Sequence, residues 1–218
     1  MIIYIIRHAD PDYSKDTITD FGWKEANALA DWLKNERIDK IYTSPMGRAI
    51  DTAKPTCEAK NMTSEILPWT KEHSDYMTAY KMTHDHECSY SFSLEKGIYD
   101  YKDFEDSERM KTVEEMIKNS DEFLASHGYV REGAFYKATK ENDERIAVFC
   151  HGGFGGAWIS HLIGLPTGLS FSALSVSTTS VTEIYFPSVE NKYVRPQLKR
   201  FGEIHHIRSA GLKINEGV

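Results

Sequence analysis

The sequence predicts an α/β protein, a three-layer α/β/α sandwich built on a mostly parallel sheet. Three observations lead there. Ile2 to Ile6 is a short apolar run and Arg145 to Cys150 is apolar after its first residue, the pattern of strands buried on both faces. Segments with helical spacing follow such runs, and strands alternating with helices build parallel sheets. The chain has 218 residues, 40% hydrophobic and 27% charged, which suits one domain burying about 70% of the surface exposed on unfolding. Intrinsic disorder, collagen and a small disulfide scaffold are excluded by that balance.

Each element has its own reason. Ile2 to Ile6 is apolar and β-branched, so it forms the first strand. Thr19 is an N-cap, and after it Ala26, Leu29, Ala30, Trp32 and Leu33 recur at helical spacing. Asp39 to Thr43 reads as a second strand, closed by Ser44-Pro45. A helix starts there and carries Arg48, Ala49, Thr52 and Ala53 until Pro55 interferes. Glu65 to Trp69 is the third strand expected.

From about Asp75 to Gly133 the composition shifts to Tyr, His, Asp and Lys, with one helix, roughly Ser107 to Ser126. This stretch reads as a mixed insertion over the active-site end of the sheet, where a lid can sit. Arg145 to Cys150 is again a buried strand, followed by His151-Gly152-Gly153 and a helix whose Trp158, Ile159 and Leu162 are core. Ser180 to Phe186 and Arg195 to Phe201 alternate in polarity, which suggests edge strands.

Charge and cysteine usage narrow the function classes. Acidic residues outnumber basic ones 33 to 26, giving a formal charge of −7, so nucleic acid and anionic membranes are poor general partners. Cys57, Cys88 and Cys150 lack a C-x-x-C pair and fit reduced thiols. No apolar span approaches the 18 or so residues of a membrane helix, and a soluble cytoplasmic protein is expected.

Ligands of such sheets sit at the carboxyl ends of the strands. Three polar motifs fall there: Arg7-His8, Ser44-Pro45 through Arg48, and His151-Gly152-Gly153. Arg48 lies in the first turn of a helix, near its unpaired N–H groups. Two guanidinium forks can grip a tetrahedral phosphoryl group, and two histidines can act as nucleophile and as stabiliser of its oxygens.

These motifs resemble the histidine phosphatase superfamily, which includes the cofactor-dependent phosphoglycerate mutases. Arg7-His8-Ala9 is similar to the family's Arg-His-Gly, with Ala in third place. Ile18-Thr19-Asp20-Phe21-Gly22-Trp23-Lys24-Glu25-Ala26 is similar to its Leu-Thr-x-x-Gly-x-x-Gln-Ala, with Ile for Leu and Glu for Gln. The most specific match is Ser44-Pro45-x-x-Arg48-Ala49-x-x-Thr52-Ala53, and His151-Gly152 fills the late motif. Order and separation agree across nearly the whole chain except the insertion.

The resemblance implies a phosphoglycerate mutase-like fold in a single domain, 1–218, and a phosphatase that needs neither metal nor cofactor. His8 would attack phosphorus and become a phosphohistidine, while Arg7, Arg48 and His151 hold the equatorial oxygens. The substrate-binding set it implies is Arg7, Arg48, Thr19 and Gly152. The leaving group needs an acid, which the family takes from a carboxyl after the third strand, and Glu72 stands there, with Glu65 and Asp75 as alternatives. A small phosphorylated metabolite is the expected partner; oligomeric state is not legible.

Three competitors remain. A phosphoglycerate mutase would show Glu-Arg-x-Tyr-Gly at the acid, where this chain has Glu72-His73-Ser74-Asp75-Tyr76, and an Asn soon after the first motif, which is absent before Thr19. A noncatalytic phospholigand-binding module would keep the pocket without turnover. A metallohydrolase would use His84-Asp85-His86-Glu87, although neighbouring ligands at that spacing rarely close a coordination sphere. His205-His206 reads as structural, and Tyr76, Tyr80, Tyr90, Tyr99 and Tyr101 either line a pocket or pack the insertion.

Overall fold

The structure is a computed structural model describing residues 1–74, 76, 90–93, 98–101, 108–165 and 173–215. In chain order, β1 is Ile2–Arg7, followed by a small hairpin of β2, Pro11–Asp12, and β3, Thr17–Ile18. Helix α1 is Asp20–Leu33, β4 Lys40–Thr43, α2 Gly47–Lys60 and β5 Ser64–Ile66, with a 3₁₀ turn at Pro68–Thr70. A second hairpin pairs β6, Tyr90–Ser93, with β7, Ile98–Tyr101. Then come α3, Glu108–Ser126; β8, Tyr129–Glu132; β9, Phe135–Ala138; and β10, Arg145–Cys150. The remainder is α4, Gly152–Ile163; β11, Val181–Tyr185; β12, Lys192–Val194; β13, Gln197–Glu203; and α5, His205–Ser209.

The main sheet has the order β13-β11-β1-β10-β4-β5. Strands β1, β10, β4 and β5 run parallel, while β11 is antiparallel to both neighbours. Strand alternation splits the apolar residues into two layers. Ile3, Ile5, Ile146, Val148 and Tyr42 face one way, into a core with Met116 and Leu124 of α3 and Phe154 and Trp158 of α4. Tyr4, Ile6, Ala147, Phe149 and Ile41 face the other way, against Leu29 and Leu33 of α1 and Ala53 of α2. The three-layer sandwich follows, and Trp158, Ile159 and Leu162 are buried as expected.

Four expectations need correction. Helix α2 runs through Pro55 to Lys60. The proline removes one intrahelical donor but its ring is buried, and packing of the apolar face outweighs a loss of about 3 kcal/mol. The third strand stops at Ile66, because Pro68 starts the 3₁₀ turn. Strand β11 is internal, with β13 at the edge; its polar members, such as Glu183 facing Arg200 at 3.6 Å, mimic an edge pattern.

The insertion boundary also moves. Helix α3 begins at Glu108 and contributes to the sandwich core, so it is a layer helix and not part of a lid. Gly133, the expected end of the insertion, is the turn of a β8–β9 hairpin with φ +60°. That hairpin joins β12 in a separate sheet of three strands, ordered β12-β9-β8. Tyr80 lies outside the described residues, while Tyr76 is buried against Phe154.

Candidate active site

Register brings the carboxyl ends of three strands together: Arg7 lies beside Cys150, and Phe149 beside Thr43. The residues that follow, His8, Ser44 and His151, therefore meet at one rim. The backbone there is pinned. His8 N donates to Cys150 O at 2.9 Å, and Ala9 N donates to Thr52 Oγ1 at 2.9 Å. Thr52 in turn donates to Arg48 O at 2.7 Å, so the threonine one turn after Arg48 ties α2 to the His8 loop.

The His8 ring is buried, with Nδ1 2.8 Å from Ala9 O. A carbonyl cannot donate, so Nδ1 carries the proton and Nε2 keeps its lone pair. Burial, then the positive charges of Arg7 and Arg48, press the His8 pKa down to about 3, against the pull of the Ala9 carbonyl and Asp16. The ring is thus a neutral base with an available Nε2.

His151 is buried 5.2 Å from His8, ring centre to ring centre. Its Nε2 lies 2.7 Å from Ser44 Oγ, which already accepts from Met46 N at 3.3 Å. Among the described residues the Ser44 proton has His151 Nε2 as its acceptor. That leaves the ring proton on Nδ1, which is buried without a hydrogen bond among the described residues. Burial, then His8, Arg48 and Arg7, hold the His151 pKa down to about 2, so it is a neutral donor.

Arg48 is 6% exposed in the first turn of α2. Its Nη1 donates to Asp16 Oδ1 at 2.6 Å and Nη2 touches Met46 Sδ at 3.4 Å, while Nε is buried without a hydrogen bond. Arg7 Nη1 donates to Val176 O at 2.5 Å. Its guanidinium lies against the start of α4, where a Cβ on Gly152 would come within 3.3 Å of it. Burial lowers the pKa of Arg7, although an arginine stays charged there. Two guanidinium groups and the His151 N–H can together bind a compact anion in a dry setting.

Glu72 reaches the same rim from beyond the 3₁₀ turn. Its Oε2 accepts from Gly153 N at 3.0 Å and Oε1 from Phe154 N at 2.8 Å. The carboxylate thereby caps α4, whose own N-cap, His151, supplies no side-chain bond. Gly153 permits the approach, since a Cβ there would sit 2.9 Å from Glu72 Oε1 and 3.1 Å from Tyr76 Cβ. Burial raises the pKa of Glu72, and the N–H bonds and Arg48 only partly oppose it. Of its alternatives, Glu65 is exposed on β5 and Asp75 lies outside the described residues.

His8, Arg7, Arg48, His151, Gly152 and Glu72 thus gather at one rim. Thr19 has a different employment. Its Oγ1 accepts from Gly22 N at 3.0 Å and donates to Asp10 Oδ2 at 2.5 Å, so the hydroxyl is spent on the cap of α1. Beneath the His8 loop lies a network that sequence reasoning missed. Glu25, fully buried, accepts from Asp10 N at 2.7 Å and from Thr178 Oγ1 at 2.5 Å. Asp10 also accepts from Asn215 Nδ2 at 2.6 Å. The one signal for it was Glu25 standing in the Thr19-to-Ala26 motif; Thr178 and Asn215 carried none. Ser44, which bonds His151, and Thr52, which bonds the His8 loop, were also missed, as was the bond of Asp16 to Arg48.

Among the described residues no three His, Cys, Asp or Glu side chains gather to hold a metal ion. The His84-to-Glu87 run lies outside those residues. His206 Nε2 is 3.0 Å from Thr179 Oγ1 and its ring stacks on Trp32, a structural setting. No helix among the described residues is long and apolar enough to cross a membrane.

Comparison with known proteins gives a consistent picture. The family model described as histidine phosphatase superfamily (branch 1) matches residues 3–198. No curated protein matches by sequence. Among solved structures, mycobacterial glucosyl-3-phosphoglycerate phosphatase is similar with a TM-score of 0.63 at 19% identity, covering 92% of this chain and 98% of that one. Phosphoserine phosphatase from Entamoeba histolytica, in complex with phosphoserine, has a TM-score of 0.63 at 17% identity, covering 94% and 98%. Alpha-ribazole phosphatase from Shigella flexneri has a TM-score of 0.58 at 17% identity, covering 94% and 97%. At such identities the likeness shows a shared fold.

Proposed function

The chain belongs to branch 1 of the histidine phosphatase superfamily, and on that premise we propose that it hydrolyses phosphate monoesters through a phosphohistidine on His8. One observation carries the reading: a buried, neutral His8 with its Nε2 lone pair kept available by the Nδ1 bond to Ala9, beside two arginines and the His151 N–H. In the first half-reaction Nε2 forms a bond to phosphorus as the ester P–O bond breaks. Glu72 gives its proton to the departing oxygen, a role that the upward push of burial on its pKa favours.

In the second half-reaction water attacks phosphorus, the P–Nε2 bond breaks with its electron pair returning to nitrogen, and Glu72 takes a proton from the water. Arg7, Arg48 and His151 stabilise charge on the three equatorial oxygens in both steps. Activities named for the structural neighbours support a small phosphorylated metabolite as substrate class.

The test is hydrolysis of p-nitrophenyl phosphate by the wild type and His8→Ala, each with and without EDTA. Turnover that survives EDTA and disappears in His8→Ala is expected. Turnover retained in His8→Ala and abolished by EDTA sinks the mechanism.

A further inference from the structure

The hairpin of β2 and β3 lies over the first turn of α2, and its contacts converge on one side chain. Asp16 Oδ1 accepts from Arg48 Nη1 at 2.6 Å, while Oδ2 accepts from Gly47 N at 2.7 Å. Arg48 Cζ also lies over the Tyr13 ring, 5.5 Å from its centre, although Tyr13 is otherwise 68% exposed. Thr17 Oγ1 donates to Asp51 Oδ2 at 2.5 Å and fastens the hairpin farther along α2.

The fit is close. A Cβ on Gly47 would sit 2.1 Å from the Asp16 carbonyl oxygen, so no other residue admits the hairpin at this distance. Asp16 itself adopts φ +49°, a left-handed conformation that Asp and Asn tolerate better than other non-glycine residues.

Which nitrogen Asp16 takes decides what it does. A guanidinium grips an oxyanion through two parallel N–H bonds along one edge. Asp16 occupies Nη1, on the side away from Nε, so the Nε–Nη2 edge keeps both its donors. The contact of Nη2 with Met46 Sδ, at 3.4 Å, is to a weak acceptor that an oxyanion outcompetes.

We infer that Asp16 is a positioning residue, holding Arg48 with Tyr13 so that its Nε–Nη2 edge is presented to the oxygens of a bound phosphoryl group. The inference rests on the phosphatase reading only for the identity of the anion. It opposes the simplest electrostatic expectation. A carboxylate beside a site for a dianion repels the ligand, so neutralising it alone would tighten binding. Orientation of Arg48 predicts the reverse.

The decisive variant is Asp16→Asn, which keeps size and left-handed tolerance while losing the charge and one of the two acceptor oxygens. Orthovanadate binding by calorimetry and kcat/KM for p-nitrophenyl phosphate are measured in two backgrounds, the natural chain and Arg48→Lys. A lysine keeps the charge but has no two-nitrogen edge to orient. In the natural background Asp16→Asn should weaken vanadate binding and lower kcat/KM about tenfold, the scale of one charge-assisted hydrogen bond. In Arg48→Lys the same change should alter either quantity less than about twofold.

Unchanged or tighter vanadate binding in the natural background overturns the inference. An equal loss in both backgrounds also does, because the effect would then bypass Arg48. Absence of vanadate binding to the natural protein overturns it too. If the natural protein binds vanadate but turns over no ester, the phosphatase reading fails while the binding comparison still decides the role of Asp16.

Discussion

Glu72 caps α4, the proposed mechanism gives it a second job as the acid, and the two can be separated. Helix α4 opens with Gly152-Gly153-Phe154-Gly155-Gly156, and its own N-cap supplies no side-chain acceptor. Two of its first N–H groups instead donate to Glu72. Replacing Glu72 with alanine removes two hydrogen bonds to a carboxylate, each worth about 1.5–3 kcal/mol. Burial disfavours that carboxylate and raises its pKa, so the net loss falls at the low end, about 3 kcal/mol. In a chain of this length that lowers the melting temperature by about 6–12 °C. Glu72→Gln keeps one acceptor oxygen and should lose about half as much.

The chemical job has a different signature. An acid matters in proportion to how poorly the leaving group departs unaided. Glu72→Gln should reduce kcat for an alkyl phosphate by about 10²–10⁴ and for p-nitrophenyl phosphate by less than about tenfold, since nitrophenolate leaves without help. Calorimetric melting and steady-state rates on the two esters read the two jobs independently. Equal losses on both esters would refute the acid role. An unchanged melting temperature in Glu72→Ala would refute the cap.

Other expectations are shorter. Ser44→Ala frees His151 to place its proton on either nitrogen, so kcat should fall about tenfold at little cost in melting temperature; an unchanged kcat denies Ser44 a hold on that ring. Gly153→Ala gains up to about 1 kcal/mol in helix propensity but drives a Cβ to 2.9 Å from Glu72 Oε1. Alkyl phosphate turnover should therefore drop more than p-nitrophenyl phosphate turnover, and equal rates would show the carboxylate moves freely. The pH dependence of stability is also defined. His8, His151 and His206 have pKa values lowered to about 3, 2 and 4 by burial, so the unfolded chain binds protons that the folded one refuses. Acidification from pH 7 to 5 should lower the urea midpoint, each histidine contributing up to about 1.4 kcal/mol per pH unit below its ordinary pKa near 6.5. A flat midpoint over that range would show that these rings accept protons in place.

What was legible in the sequence tracks how local its cause is. Strand β10 spans Arg145 to Cys150 as expected, because a parallel strand buried on both faces needs an unbroken apolar run. Thr19 was readable as a cap because the bond it makes spans three residues. The passage of α2 through Pro55 was not readable, since what sustains it is burial of a face against α1 and the sheet. Likewise β11 showed an alternating pattern that in isolation means an edge, and only β13 beside it says otherwise. The β8–β9 hairpin was obscured because Gly133, its turn, is indistinguishable from a boundary glycine when β12, nearly 60 residues onward in the sequence, is unseen.

The same rule divides the site. His8, Arg7, Arg48 and His151 were readable because motif order places them at strand ends. Their protonation and aim were not, because the groups that set them come from elsewhere: Ser44 lies 107 residues from His151, and Asp16 lies 32 from Arg48. The neutrality of His8 comes first from its burial and then from Arg7 and Arg48 beside it. An Arg48 held by Asp16 and Tyr13 depends instead on Gly47 leaving room for a left-handed turn against α2. The consequence is testable at that glycine. Gly47→Ala should displace the hairpin and weaken vanadate binding as Asp16→Asn does, and the two changes together should do little more than either alone, because both act by releasing one guanidinium. Full additivity would mean that the hairpin and Arg48 contribute separately, and that the geometry over α2 is packing alone.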